Sequence, residues 1–113
     1  MVRRDDTDLL QIISEPRRRE ILRLVWDDEL SATTIADSMP DITFGAVSQH
    51  LRVLRDAGIV NVRVDGRFRW YRADQGRVGP LAEYLTAMWS DRLQRLKTLA
   101  EETERQNARK KRR

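Results

Sequence analysis

The sequence predicts a mainly α-helical domain that carries one small β-hairpin. Apolar residues recur at spacings of three and four through most of the chain, in segments opened by Ser, Thr or Pro and closed by Gly or Pro. Only residues 59–72 switch to two short β-branched and aromatic runs around an Asp-Gly pair. The 113 residues suit one domain with a modest core, which a partner surface would help to stabilise.

In chain order, Leu9, Leu10, Ile12 and Ile13 cluster within residues 7–14 and predict a brief first helix, with Thr7 or Asp8 available as its cap. Pro16 suits a first helical position and opens a second helix through Ile21, Leu22, Leu24 and Val25, closed by Asp27-Asp28-Glu29. Ser31 caps a third, with Ile35, Ala36 and Met39 inward and Pro40 marking its end. Thr43 caps a fourth. There Val47, Leu51 and Leu54 make one buried stripe, Ser48, Gln49, Arg52 and Arg55 face elsewhere, and Gly58 is the stop. The third and fourth helices form a helix-turn-helix pair, although any helical bundle can contain one.

Ile59, Val60, Val62 and Val64 before Asp65-Gly66, and Phe68, Trp70 and Tyr71 after it, read as a hairpin. A two-residue Asp-Gly turn would set the valines opposite arginines. A three-residue loop of Val64, Asp65 and Gly66, with a left-handed glycine, pairs Val62 with Phe68 and Val60 with Trp70, and is favoured. It collects Val60, Val62, Phe68 and Trp70 on a packing face and leaves Arg63, Arg67 and Arg69 on the other. Such arginines also occur on ordinary solvated hairpins. After a helix-turn-helix, however, an arginine-tipped hairpin implies a winged helix-turn-helix, whose helix enters the major groove of duplex DNA while the wing reaches phosphate or minor groove.

Gly79-Pro80 introduces a long last helix, predicted to run to about residue 106. Its apolar stripe includes Leu85, Met88, Trp89, Leu93 and Leu96. Packing of the first and last helices of two subunits would cover it, giving a symmetric homodimer whose interface includes Leu9, Ile13, Leu85, Met88, Trp89, Leu93 and Leu96. Alternatively, the first half seals its own core and the second frays. Residues 1–106 are thus read as the DNA-binding and dimerisation domain, and 107–113 as a disordered basic tail.

Charge is unevenly placed. Residues 1–51 carry 6 basic and 10 acidic side chains, residues 52–77 carry 7 and 3, and residues 105–113 carry 6 and 0. This partition suits an oriented electrostatic footprint for a polyanion. With no cysteine, disulfides, cysteine nucleophiles and thiolate metal sites are excluded. Neither a secretory leader nor a membrane span is legible, so a cytoplasmic location without membrane contact is expected. No catalytic constellation or glycine-rich phosphate loop is legible either; the expectation is a non-enzyme without cofactor or metal.

The segments EPRRREILRLV, AVSQHLRVLRDAGIV, VRVDGRFRWYRAD and MWSDRLQRLKTLAEE resemble the ArsR-type winged-helix transcriptional regulators, with agreement over residues 8–103. The resemblance implies a homodimer held by its first and last helices that binds an imperfect inverted repeat and represses a neighbouring transcription unit. Trp89-x-x-x-Leu93-x-x-Leu96 looks like a subgroup without the metal-sensing signature. Members sensing soft metals carry a cysteine pair near the third helix, where this chain has Ala32, Thr33, Thr34 and Ile35. Members binding zinc on the last helix use histidine there, whereas that helix has Glu83, Asp91 and Glu101 and the chain's single histidine is His50.

On this reading Ser48 and Gln49 address base edges, Thr43 and Gly45 permit close approach to phosphate, and Arg52 reaches guanine or backbone. His50 is either a partly buried structural residue or a side chain touching phosphate or base. Arg63 and Arg67, with Arg69 less firmly, contact phosphate or minor groove. Arg17, Arg18 and Arg19 face either the duplex or the Asp27-Asp28-Glu29 cluster. Sensing through a small organic effector at the dimer interface, through another protein, or not at all, stays open. The alternative function is a winged-helix interaction or architectural module that reads no bases.

Overall fold

The computed structural model describes the backbone of residues 4–111 and the side chains of residues 8–109. Along the chain run α1 (Arg4–Ile13), α2 (Pro16–Leu24), β1 (Leu30–Ser31), α3 (Ala32–Asp37), α4 (Phe44–Asp56), β2 (Val60–Asp65), β3 (Phe68–Ala73), α5 (Gln75–Val78) and α6 (Leu81–Lys111). They fall into two units, residues 1–81 and residues 82–113.

In the first unit, local chemistry sets most helix ends. The Glu15 carboxylate accepts the Arg18 amide at 3.0 Å, with Pro16 at the first helical position of α2. The Ser31 hydroxyl accepts the Thr34 amide at 3.2 Å at the start of α3. That helix gives way at Ser38, two residues before Pro40. α1 starts at Arg4, so Thr7 and Asp8 lie inside the helix rather than capping it. Ile21 and Leu22 from α2, Val25 just after it, Ile35 from α3, Val47, Leu51 and Leu54 from α4, and Ile59, Val60 and Val78 form the core, each fully or almost fully removed from water. Each such side chain stabilises the fold by about 1.5–3 kcal/mol.

The sheet has the order β1-β3-β2 and is antiparallel throughout. β1, which a two-residue sequence cannot announce by periodicity, pairs Leu30 with Tyr71 and Ser31 with Trp70. The hairpin register corrects the sequence expectation. Asp65 pairs with Phe68, Val64 with Arg69, Arg63 with Trp70, Val62 with Tyr71 and Val60 with Ala73. The connection is therefore a two-residue turn of Gly66 and Arg67, neither the favoured three-residue loop nor the Asp-Gly turn. Gly66 has φ +60° and no non-glycine residue among those described has positive φ, which is the type II′ pattern with glycine at the first central position. Paired residues share a face, so Val60, Val62, Tyr71 and Ala73 pack inward. Phe68 and Trp70 lie instead on the opposite face with Arg63.

The base of the hairpin is tied to α2 and α4. The Ala73 amide donates to the Val25 carbonyl and the Asp74 amide to the Ile59 carbonyl, each at 2.9 Å. The Gln75 side-chain amide donates to the Trp26 carbonyl, also at 2.9 Å.

The second unit is the body of α6. Leu85 and Trp89 are buried and Met88 is half-buried, while Leu93, Leu96 and Leu99 are exposed. The helix continues to Lys111 instead of stopping near Gln106, so residues 107–111 are helical where a disordered tail is expected; Arg112 and Arg113 lie outside the described residues. Glu101 one turn ahead of Arg105, and basic residues over the last turn, favour the extension through side-chain pairing and the helix dipole.

Candidate nucleic-acid interface

α4 is fixed at both ends by its own sequence. The Thr43 hydroxyl accepts the Ala46 amide at 3.1 Å. At the other end Gly58, with φ +77°, donates to the Arg55 carbonyl at 2.9 Å, and Ile59 donates to the Leu54 carbonyl at 3.1 Å. This is a Schellman stop, and a side chain at position 58 would strain it. With Val47, Leu51 and Leu54 buried, Thr43, Gly45, Ser48, Gln49, Arg52 and Arg55 are all exposed. Phe44, 55% exposed, stands one turn ahead of Ser48 and extends the row Phe44, Ser48, Arg52 and Arg55. Sequence reasoning left Phe44 unassigned, although its spacing from Ser48 carried the signal. A Cβ built at Gly45 would meet only the Thr43 hydroxyl oxygen, at 3.9 Å, so nothing within the fold demands glycine there.

His50 is turned toward α2. Arg18 Nε donates to His50 Nδ1 at 3.4 Å, and His50 Nε2 lies 3.8 Å from a Glu15 carboxylate oxygen. The ring thus links α4 to the start of α2.

The three consecutive arginines there do not meet the Asp27-Asp28-Glu29 cluster. Arg17 forms an ion pair with Asp41 in the turn between α3 and α4. This contact holds the Asp41 carboxyl below its ordinary range, first through the hydrogen bond from Arg17. Besides His50, Arg18 donates to the Ile12 carbonyl at 3.3 Å. Arg19 donates to the carbonyls of Ile13 and Ser14 at 2.8 and 2.9 Å, satisfying the C-terminal end of α1.

The wing separates its cations by face. On the outer face Arg63 is gripped by Glu29: Nε donates to both carboxylate oxygens at 3.1 and 3.2 Å, and Nη2 donates to Oε1 at 2.6 Å. Asp65 adds a second carboxylate 3.5 Å from Arg63 Nη1. The guanidinium also stands 6.0 Å from the Trp70 ring, itself 6.0 Å from Phe68. Hydrogen bonding with Arg63 lowers the Glu29 pKa and raises that of Arg63. Arg67 is exposed at the turn, and Arg69 lies on the opposite face beside Val64 and toward α4. Among the described residues, Arg52, Arg67 and Arg69 have no side-chain hydrogen bond or ion pair within the chain. The structure therefore brings Ser48, Arg52 and Arg69 together, with Arg55 and Tyr71, around a cleft of about 140 Å³ between α4 and β3. It leaves Arg63 on the far side of the sheet. No group of three or more metal-ligating side chains occurs among the described residues, and no helix is long and apolar enough to cross a membrane.

Comparison with known proteins places this geometry. A helix-turn-helix domain family matches residues 13–63. The transcriptional activator HlyU of Vibrio cholerae is 31% identical over 81 residues, 72% of this chain and 74% of that protein. A solved structure of HlyU superimposes with a TM-score of 0.67 at 30% identity, over 76% of this chain and 92% of that one. The transcriptional repressor SdpR of Bacillus subtilis is 31% identical over 64 residues, 57% of this chain and 70% of that protein. A structure described as a possible transcriptional regulator for arsenical resistance is 40% identical, with a TM-score of 0.62 over 80% of this chain and 94% of that one. These relatives are transcriptional regulators and none is an enzyme.

Proposed function

Because the chain belongs to the ArsR/HlyU family of winged-helix transcriptional regulators, we propose that it is a sequence-specific DNA-binding regulator, acting as a homodimeric repressor on an inverted-repeat operator. The observation that carries this reading is the exposed polar row of α4 beside two wing arginines that no carboxylate neutralises. α4 lies in the major groove, where Gln49 pairs with adenine, Ser48 meets a base edge and Phe44 contacts a thymine methyl. The amides of Phe44 and Gly45 face a phosphate at the positive end of the helix. Arg67 takes phosphate or minor groove. His50 acts through its contacts with α2, orienting α4 rather than touching bases.

The dimer reading is supported by α6. Leu93, Leu96 and Leu99 are 61, 53 and 58% exposed on a 31-residue helix, and a second copy would cover them. Leu9 and Ile13 are already buried within the chain. Sedimentation at low micromolar concentration tests this, and a strict monomer removes the two-fold operator. HlyU is named an activator and SdpR a repressor, so a reporter assay at the selected operator decides the sign of regulation. Without cysteine no thiol switch is available, and any effector would be a small organic molecule at the dimer interface or another protein. Action on the chromosome implies a cytoplasmic protein.

Selection of bound genomic fragments tests the reading. Gln49→Ala is expected to weaken the selected site by about tenfold while leaving random duplex unchanged, one bidentate base contact being worth about 1–3 kcal/mol. Equal loss on both duplexes removes Gln49 as a base reader. If no genomic fragment outcompetes random duplex, the protein is an architectural module instead.

A further inference from the structure

Resting on the DNA-binding reading, we propose that the cleft between α4 and β3 seats one backbone phosphate, held by Arg52 and Arg69 with the Tyr71 hydroxyl as a further donor. Tyr71 is the informative residue. It lines the cleft and is only 8% exposed, yet its hydroxyl has no hydrogen-bond partner among the described residues. No buried side-chain oxygen or nitrogen there is left unsatisfied, so this hydroxyl keeps its access to the cleft opening. A largely buried phenol whose hydroxyl stays accessible and unpartnered is a positioned donor.

The charges around it select the ligand. Arg52 and Arg69 come from different elements, neither is ion-paired among the described residues, and no carboxylate lines the cleft. Arg55 is the third guanidinium; its partner is the neighbouring Asp56, at 3.2 Å on an exposed surface, an ion pair that exchanges readily for another oxyanion. Converging guanidiniums repel one another until an anion arrives, and a tetrahedral oxyanion offers each an acceptor. Leu51 and the Tyr71 ring form an apolar floor that excludes water from one side and strengthens those hydrogen bonds. The cleft therefore fixes the angle between the α4 helix and the wing against a single point on the duplex. It assigns Arg52 to the backbone, not to guanine.

The experiment uses the full chain and two probes. First, the salt dependence of binding to random duplex counts neutralised phosphates. Arg52→Ala and Arg69→Ala are each expected to leave the slope of log K against log[salt] nearly unchanged, because the other arginine still neutralises the shared phosphate, and the double variant to reduce it by about 0.9. A double loss of about 1.8 means two separate phosphates and overturns the proposal. Second, Tyr71→Phe, which removes only an unpartnered hydroxyl, is expected to keep the thermal transition and weaken duplex binding about tenfold, the scale of a hydrogen bond to a charged group. Wild-type affinity in that variant overturns the proposal while leaving DNA binding intact. Inorganic sulfate, followed by the amide resonances of Ser48 and Tyr71, separates the two readings. Sulfate shifts that vanish in the Arg52/Arg69 double variant, in a chain that binds no duplex, would retain the anion seat and remove the DNA reading. Sulfate shifts undiminished in that variant overturn the seat.

Discussion

Two sets of three arginines behave oppositely in this molecule. Arg17, Arg18 and Arg19 are consecutive, and at 3.6 residues per turn a helix splays them to three sides of α2. Each meets a built-in acceptor: Asp41, then His50 with the Ile12 carbonyl, then the last carbonyls of α1. Arg52, Arg67 and Arg69 are scattered through α4 and the wing, yet none has such a partner among the described residues. The denser basic run in sequence is thus spent on holding α1, α2 and the turn before α4 together. The dispersed set stays without internal acceptors, as the proposed contact with a polyanion requires. A footprint is what remains after internal acceptors have been subtracted.

The largest expected effect comes from moving an arginine out of the first set. Arg19→Ala strips the end of α1 of its donor to two carbonyls and is expected to cost about 2 kcal/mol of stability, within the range for hydrogen bonds involving a charged group. Its salt slope for duplex binding should equal that of the parent. Denaturant titration and binding isotherms at several salt concentrations check both halves, and a reduced slope with unchanged stability would move Arg19 to the second set.

Arg67→Ala is the converse. It should leave the unfolding midpoint unchanged and reduce the salt slope by about 0.9, which near 0.15 M salt is roughly a fivefold loss of affinity on cognate and random duplex alike. A loss confined to the cognate site would make Arg67 a sequence reader.

What the sequence made legible follows the range of the interactions concerned. Thr43, Ser31, Pro16 and Gly58 act within a few residues of themselves, and the buried stripe of Val47, Leu51 and Leu54 turns Ser48, Gln49 and Arg52 outward by geometry alone. The hairpin register was illegible because Phe68 and Trp70 compete with Tyr71 for the inward face. With Gly66 first in a two-residue turn, Tyr71 and Ala73 pack inward, while Trp70 is covered in part by Arg63 and Phe68. Partners of His50 and Arg63 lie 32 and 34 residues away, beyond any local pattern. Tyr71 is the cost of that misreading: a residue whose hydroxyl matters only once its face is known.

Gly45 gives a smaller effect with two signs. Glycine in a helix is less favourable than alanine by about 0.5–1 kcal/mol, and a methyl at this position meets nothing closer than 3.9 Å in the protein. Gly45→Ala should therefore raise stability while weakening duplex binding, since the methyl would stand where the phosphate backbone approaches the start of α4. Stabilisation without loss of binding would show that the backbone does not come that close.

The smallest effect concerns Arg63, which the sequence grouped with Arg67 and which the structure surrounds with Glu29 and Asp65. Its charge is already balanced, so Arg63→Ala should leave the salt slope unchanged, and a fall of about 0.9 would return it to the DNA-facing set. The pair's own contribution is to the wing. Glu29 has a folded pKa below its ordinary 4.5, so the stabilisation is fully present above that value and is lost as pH falls through the lower folded one. Glu29→Gln keeps the shape and removes the charge, which should flatten this acid limb and leave neutral-pH DNA binding as it was. The Trp70 indole resonance, 6.0 Å from the Arg63 guanidinium, reports the change directly. Identical acid titrations of that resonance in parent and variant would mean that the carboxylate does not brace the hairpin.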